Sequence, residues 1–255
     1  MLFVWNAAQS TGEATTVRVW NLVEWLILEK GVSGAGAMAL YVIGALLCMV
    51  LPYLLGSINP AVIISKLVYR DDIRNHGSGN AGTTNMLRTY GVKAAVFTFL
   101  CDLLKAALAV VIGRLLWSYM GAAIAGFFVA FGHMFPIFAH FRGGKGVACL
   151  AMVIALLSPV TFLFLVFVFA LSLIGTRMVS FASIMCAFFY PLILRAFDGD
   201  KPFYVAMAVI SAVFVVVMHH ENIKRIMAGK ESKIDFSKFR RKKKKSEEDG
   251  EGDAQ

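Results

Sequence analysis

Residues 147–174 read VACLAMVIALLSPVTFLFLVFVFALSLI, 28 consecutive positions without a charge and with Ser158-Pro159 near the middle. A membrane-spanning helix takes about 20 apolar residues, so this run is long for one crossing and short for two. Proline removes a backbone donor and biases the residue before it away from helix. The run is therefore either one kinked helix or a tight hairpin, with residues 147–157 leading in and 160–174 leading back. In the hairpin the first arm is only about 17 Å long at the helical rise.

Further apolar runs lie on either side, at 37–69, 92–117, 119–139, 180–195 and 203–218. The chain has 255 residues, 58% of them hydrophobic, against roughly 45–50% for soluble domains. The runs lack the period-2 alternation of barrel strands, and helices satisfy the backbone within each segment, so the composition predicts a helical membrane bundle. Cys48, Cys101, Cys149 and Cys186 sit within or beside apolar runs without metal-ligand spacing and read as small hydrophobes.

Charge chooses between the kinked helix and the hairpin. With seven segments and the C-terminus in the cytosol, that side carries Lys66, Arg70, Arg74, Arg88, Lys93, Arg142, Lys145, Arg177 and eleven further cations from Lys224 to Lys245. The outer side then holds only Arg18, Lys30, Arg114, Arg195 and Lys201. With six segments, the loops bearing Arg88 and Lys145 would face outward, against the positive-inside rule. The expected fold is thus an all-α integral membrane protein: a seven-transmembrane-helix bundle, N-terminus outside, C-terminus cytosolic, with a short helical hairpin near Ser158-Pro159. This arrangement brings the polar connectors 70–91, 140–146, 175–183 and 219–230 to one face.

Residues 1–36 form a separate N-terminal extension. Trp5, Trp20, Trp25 and the apolar run 17–28 suggest an amphipathic helix at the outer interface. The membrane domain is expected over 37–234 and a disordered basic-then-acidic tail over 235–255. That tail reads KFRRKKKK followed by SEEDGEGDAQ, within a chain of net charge +9. A basic block beside a last membrane helix suits anionic lipid headgroups; nucleic acid is not expected as a partner.

The polar connectors hold the chemistry. Gly77-Ser78-Gly79-Asn80-Ala81-Gly82 matches GxGxxG, but it follows a membrane helix and lacks a strand–helix–strand setting; Thr83 stands where a P-loop would place lysine. Both nucleotide readings fail. The shared physics remains: glycines let backbone N–H groups approach an anion, and Ser78, Asn80, Thr83, Thr84 and Asn85 add donors. Gly143-Gly144-Lys145-Gly146 adds a cation at the start of a helix, whose positive dipole end faces the same space. Asp102 and Lys105, at i and i+3 in an apolar run, are expected to pair. His219 and Asn222 are also three apart and can face the same side. His133 reads as a hydrogen-bonded contact between helices. No HExxH or carboxylate repeat is present, and Asp71-Asp72 lacks the third acid of a DDxxD site, so no metal and no cofactor are expected.

Taken in order, GSGNAGTTNMLRTYG, DLLKA, GHMFPIFAHFRGGKGVA, TRMVSFASI and HHENIKRIMAGKESKI resemble the bacterial acyl-phosphate:glycerol-3-phosphate acyltransferases over about residues 51–234. The resemblance implies a seven-helix fold in the bacterial plasma (inner) membrane with a cytosolic active site. It also implies transfer of a fatty acyl group from acyl phosphate to the 1-hydroxyl of glycerol 3-phosphate, giving lysophosphatidic acid for phospholipid synthesis. By resemblance Ser78, Lys145, His219 and Asn222 are catalytic, while Gly77, Gly79, Asn80, Gly82, Thr84, Arg88, Gly144 and one of Ser180 and Ser183 bind substrate. Met218 and His220 stand where the family commonly has arginine, Cys149 where it has threonine, and Ala106 where it has glycine.

The donor is already activated, so direct transfer without an acyl-enzyme is expected. No histidine is followed five positions later by aspartate, so the HxxxxD pattern of acyl-CoA-type enzymes is missing. His219 and a substrate phosphate are both candidates to take the hydroxyl proton. The alternative function is a transporter of a phosphorylated solute, which predicts a midplane site and matching broken helices in two halves. Here the motifs gather on one face, and no internal repeat is visible.

Overall fold

The computed structural model describes residues 3–8, 14–19, 21–199 and 201–234; the expected tail at 235–255 lies outside them. Among the described residues, none before Leu22 is helical. β1 (Phe3–Ala8) and β2 (Ala14–Val19) pair antiparallel, from Phe3 opposite Val19 to Ala8 opposite Ala14. Thr15, Thr16, Val17 and Val19 supply the branched side chains that favour extended backbone. This pair of strands precedes the helical bundle, and α1 (Leu22–Glu29) follows them. Asn21 starts it, accepting the Glu24 N–H through Oδ1 at 2.9 Å.

All remaining regular structure among the described residues is helical. α2 (Gly34–Ser57) leads through Asn59-Pro60 into α3 (Pro60–Val68). Asn59 accepts the Val62 N–H at 3.1 Å, and Pro60 fills the first helical position, where its missing N–H costs nothing. α4 (Thr83–Tyr90) and α5 (Val92–Met134) follow. Beyond them come α6 (Val147–Leu157), α7 (Pro159–Thr176), α8 (Val179–Asp198), α9 (Pro202–Met218) and α10 (His220–Met227).

α5 is folded back on itself. Trp117 (φ −147°, ψ 44°) and Ser118 (φ 52°, ψ −144°) leave helical geometry. A straight helix would hold Asp102 and His133 roughly 45 Å apart, yet Asp102 Oδ1 lies 3.1 Å from His133 Nδ1. Residues 92–116 and 119–134 are therefore antiparallel arms, matching the separate runs read from sequence. The arms touch backbone to backbone at their turn: a Cβ on Gly113 would lie 2.3 Å from the Gly121 oxygen. α2 packs on the second arm in the same way, since a Cβ on Gly132 would lie 2.2 Å from Tyr53 O.

Among the described residues, four spans are long and apolar enough to cross a membrane: Gly34–Val68, Val92–Ala139, Pro159–Thr176 and Val179–Asp198. The pair Pro202–Met218 and His220–Met227, bent by 57°, makes a fifth. Large apolar side chains such as Phe97, Leu163 and Phe167 cover the outside, as a lipid-facing surface requires. The decisive run at 147–174 breaks where the proline predicts. Ser158 (φ −145°, ψ 80°) separates α6 from α7, and its hydroxyl lies 2.8 Å from Thr161 Oγ1 and 2.5 Å from Asp198 Oδ2.

Candidate active site

The first glycine-rich loop is organised by Asn85, buried in the first turn of α4. Its amide nitrogen lies 3.1 Å from Ile73 O, 2.9 Å from His76 O and 3.0 Å from Asn80 O, while its oxygen accepts the Ser78 N–H at 3.0 Å. One side chain thus closes the loop from residue 73 to 80. Gly77 (φ +57°) must be glycine here, because a Cβ would lie 2.3 Å from Asn85 Oδ1. Before the loop, Asp72 anchors Arg74 through contacts of 2.9 and 2.6 Å, and that guanidinium holds the Asp72 carboxyl down to about 2. Arg74 also donates to Ala139 O at 2.9 Å, which ties the first loop to the second.

The second loop enters through two left-handed residues, His140 and Phe141 (φ 56° and 58°), and ends at Gly146 (φ +74°), where α6 begins. Gly144 N donates to His133 O at 3.0 Å and Ala81 N to Gly143 O at 3.4 Å, so the two loops are stitched together. Gly144 lies against the His133 ring, and a Cβ there would meet Nε2 at 2.0 Å.

The third part is the bend between α9 and α10. Lys145 Nζ donates to Asn222 Oδ1. Asn222 Nδ2 in turn donates to Glu231 Oε1 at 2.8 Å, as does Ser180 Oγ at 2.8 Å, while Arg225 Nε holds Glu231 Oε2 at 2.7 Å. The chain then returns to the loop before α8, where Ile234 N donates to Arg177 O at 2.8 Å. Burial opposes ionisation of Glu231, but its hydrogen bonds from Arg225, Asn222 and Ser180 outweigh that and hold the carboxyl below its usual range. Burial, partly offset by the negative charge of Glu231 and reinforced by Arg225 and Arg88, lowers the Lys145 ammonium to about 8.

His219 lies just past the end of α9. Its Nδ1 is 2.7 Å from Val215 O; a carbonyl can only accept, so Nδ1 carries the proton and Nε2 is left as an acceptor. Burial and the nearby Lys145 charge push His219 down to about 4, so the ring is neutral at neutral pH.

These parts surround a polar cavity of about 190 Å³ lined by Ser78, Asn80, Gly82, Thr84, Arg88, Lys145, Ser180, Ser183, His219 and Asn222, with Thr83, Asp102, His133 and Glu231 among the other walls. Of the residues expected from sequence, Gly77, Gly79 and Gly144 do not line it; they shape the loops that do. The choice between Ser180 and Ser183 dissolves, because both line the cavity. Ser183 Oγ donates to Val179 O within its own helix at 2.9 Å, and Ser180 reaches Glu231. Thr83 Oγ1 is buried in this wall with no hydrogen-bond partner among the described residues, a donor left for a ligand. Glu221 points outward instead, paired with Lys224 at 2.9 Å.

Asp102 and Lys105 pair as their spacing predicts, at 2.9 Å. Lys105 Nζ also donates to Gly56 O at 3.1 Å and Ile58 O at 2.9 Å and lies 2.9 Å from His133 Nδ1. The cluster joins the end of α2 to both arms of α5 beneath the second loop. Asp102, His133 and Cys149 bring possible metal-ligand atoms within 4.8 Å of one another. The Lys105 ammonium already takes the cation's place beside the first two, so a metal there would meet a positive charge at contact distance.

A second, apolar cavity of about 300 Å³ opens between α6, α7, α8 and α9. It shares Phe99, Val147 and Ser183 with the polar one, so the two adjoin. Sequence reading missed Glu231 and Arg225 as site residues. A lone glutamate beside a basic tail carries no local signal, and only the return of the chain to α8 gives it a role.

Comparison with known proteins places this geometry. A glycerol-3-phosphate acyltransferase family model matches residues 46–229. A glycerol-3-phosphate acyltransferase of Streptococcus thermophilus (strain CNRZ 1066) is 41% identical over 201 residues, covering 75% of this chain and 93% of the relative. One from Thermoanaerobacter pseudethanolicus is 40% identical over 190 residues, covering 74% and 96%. The crystal structure of PlsY (YgiH), an integral membrane glycerol 3-phosphate acyltransferase, in its glycerol 3-phosphate form superposes with a TM-score of 0.72 at 34% identity, covering 76% of this chain and 98% of that one. Its lysophosphatidic acid form gives 0.68 at 33%, covering 75% and 95%. By the span of the family model and the identity of these relatives, the chain belongs to the glycerol-3-phosphate acyltransferase family.

Proposed function

We propose that this protein transfers a fatty acyl group from acyl phosphate to the 1-hydroxyl of sn-glycerol 3-phosphate, directly and without an acyl-enzyme. One observation carries the reading beyond family membership: a polar cavity with Lys145 and Arg88 in its wall adjoins an apolar cavity at Val147 and Ser183. A donor with a phosphate at one end and a fatty chain at the other fits across that junction. Glycerol 3-phosphate, small and doubly charged, fits the polar side alone.

In this reading Lys145, Arg88, the Thr83 hydroxyl and the start of α6 hold the two phosphates near each other. His219 Nε2 accepts a hydrogen bond from the 1-hydroxyl and fixes its direction. The hydroxyl oxygen attacks the acyl carbonyl and the bond from that carbon to the phosphate oxygen breaks. The departing phosphate takes the hydroxyl proton, so lysophosphatidic acid and inorganic phosphate leave in balance. The Ser78 hydroxyl, which lines the cavity, stabilises the oxyanion. A nearly neutral His219 with a pKa of about 4 is a weak base, which favours the substrate's own phosphate as proton acceptor.

We place seven membrane segments: α2, the two arms of α5, α6, α7, α8 and α9. The N-terminus is outside and the site faces the cytosol at the bacterial inner membrane, an orientation the charge asymmetry supports. Residues 1–36 are an extension to the enzyme domain at 37–234, and the basic part of the tail at 235–255 contacts anionic lipid headgroups.

The test supplies purified protein in lipid with radiolabelled glycerol 3-phosphate and palmitoyl phosphate, palmitoyl-CoA or palmitoyl-acyl carrier protein. Lysophosphatidic acid should form only from palmitoyl phosphate. Product from a thioester donor instead would overturn the donor assignment, and no product from any donor, with glycerol 3-phosphate still bound, would favour a transporter.

A further inference from the structure

The apolar cavity has a definite far end. Its lining at Leu150, Ile154 and Tyr190 is shared with a third, much smaller cavity of about 20 Å³, which continues past Leu157, Ser158 and Leu194. The two apolar spaces lie in line along α6 and α8, and the partition between them consists of two aliphatic side chains and one aromatic ring. Tyr190 is the bulkiest of the three. Its ring is backed from the far side, where it packs with Leu157 and Phe203 against the cluster of Ala123, Leu194, Tyr204 and Ala208. That backing leaves the ring little room to swing out of the path.

The depth follows from the helices. Ser183 stands at the junction with the polar cavity and Tyr190 two turns further along α8, a distance of about 10 Å at the helical rise. An extended hydrocarbon advances about 1.25 Å per carbon, given a C–C bond near 1.5 Å. About eight carbons therefore reach from the junction to the Tyr190 ring, and a longer chain must turn there. Beyond the ring, Leu194 lies one more turn along α8, about 6 Å, room for roughly five further carbons if the partition were open.

We propose that Tyr190 is the end wall of the acyl compartment and sets the acyl-chain length that this enzyme prefers. The inference rests on the reading that the apolar cavity holds the donor's acyl chain, and it adds the residue that limits that chain. Steric discrimination of this kind is worth about tenfold or more per mismatched group in an apolar pocket.

The test measures kcat/KM in lipid nanodiscs for a series of saturated acyl phosphates of increasing length, with wild type, Tyr190→Ala and Ala151→Phe. Ala151 lines the same cavity about one turn inward from Val147, so a phenyl ring there shortens the space. Tyr190→Ala should raise the ratio of long-chain to medium-chain kcat/KM by about tenfold, and Ala151→Phe should lower it by about as much. Folding is checked by thermal melting and elution volume. Two folded variants that keep the wild-type ratio would overturn the proposal. If Tyr190→Ala does not fold, Ala151→Phe decides: a shift to shorter chains supports the wall and an unchanged ratio removes it. A wild type that uses only an acyl thioester refutes the donor assignment, and the same length series on that thioester still decides the role of Tyr190.

Discussion

Lys145 should impose an alkaline limb on the pH profile. Burial, with Arg225 and Arg88 as like charges, lowers its ammonium to about 8 against the opposing pull of Glu231. The free enzyme therefore loses this charge as the pH rises through about 8. If the ammonium captures substrate phosphate, kcat/KM should fall about tenfold for each pH unit above that point. Bound phosphates favour the charged amine, so kcat at saturation should hold to higher pH than kcat/KM does. Two variants separate Lys145 from every other titrating group. Lys145→Arg keeps its charge throughout the accessible range, so its limb should disappear even if its plateau rate is lower. Glu231→Gln removes the one charge that raises the Lys145 pKa, so its limb should move toward neutral pH. The assay is the initial rate of labelled lysophosphatidic acid formation at subsaturating glycerol 3-phosphate, with an enzyme-free blank at each pH for spontaneous hydrolysis of the donor. A Lys145→Arg enzyme that keeps the wild-type limb would refute the reasoning, as would a wild-type profile flat to pH 10.

Glu231→Ala strips hydrogen bonds from Ser180, Asn222 and Arg225 together and frees the Asn222 amide to rotate away from Lys145. We expect kcat/KM to fall about a hundredfold, about 2–3 kcal/mol for losing a buried charged acceptor with one partly solvated partner; steady-state kinetics and a melting curve measure this, and near-wild-type kinetics would remove Glu231 from the site. Gly144→Ala would set a Cβ 2.0 Å from His133 Nε2, whereas Gly175 has nothing within 4 Å of such a Cβ. The first substitution should therefore cost at least about 1–3 kcal/mol and most of the activity, and Gly175→Ala should do neither. Equal melting temperatures for the two would contradict the packing described for the second loop.

What was legible in the sequence was what acts locally or through charge. Ser158-Pro159 breaks the apolar run because proline's constraints are written on its own backbone, and the turn at Trp117-Ser118 could be read from two runs meeting. The loops around Ser78 and Lys145 stood out because stretches rich in glycines and amides are rare beside membrane helices, while the roles proposed for Ser78, Lys145 and His219 rest on the resemblance. The boundary between β2 and α1 was not legible, because the apolar stretch at 17–28 mixes a β-branched half with a helix-forming half and hydrophobicity alone does not separate them. Glu231 was invisible for a different reason. Its role depends on the chain turning back after α10 so that Ile234 meets Arg177, a contact between residues 57 positions apart. Ser180 and Ser183 could not be ranked because at i and i+3 they share a face, and that face lines both functions: Ser180 is tied to the charged network and Ser183 stands where the polar and apolar cavities meet.

On the proposed function, the shortness of α6 is what lets the site bring a phosphate and a fatty chain together. Its 11 residues span about 17 Å of a hydrocarbon core about 30 Å thick. Its far end is fixed where Ser158 meets Asp198 at 2.5 Å. On the proposed orientation that end is the outer one, so α6 alone is too short to carry Gly146 and Lys145 across the full core. A full-length helix would have lifted the second loop to the surface, where phosphates are easily held but an acyl carbonyl must leave the lipid to reach them. Burial has an electrostatic cost, since a lysine packed among protein atoms loses hydration, and that burial lowers the Lys145 ammonium. The compensating groups are those packed closest: the Asn222 oxygen that accepts from the ammonium, and behind it the Glu231 carboxylate. On the proposed function, a site set below the surface presents the activated acyl donor to the glycerol 3-phosphate hydroxyl in preference to bulk water. The break at Ser158-Pro159, from which the fold was first read, is thus also what sets the depth of the chemistry.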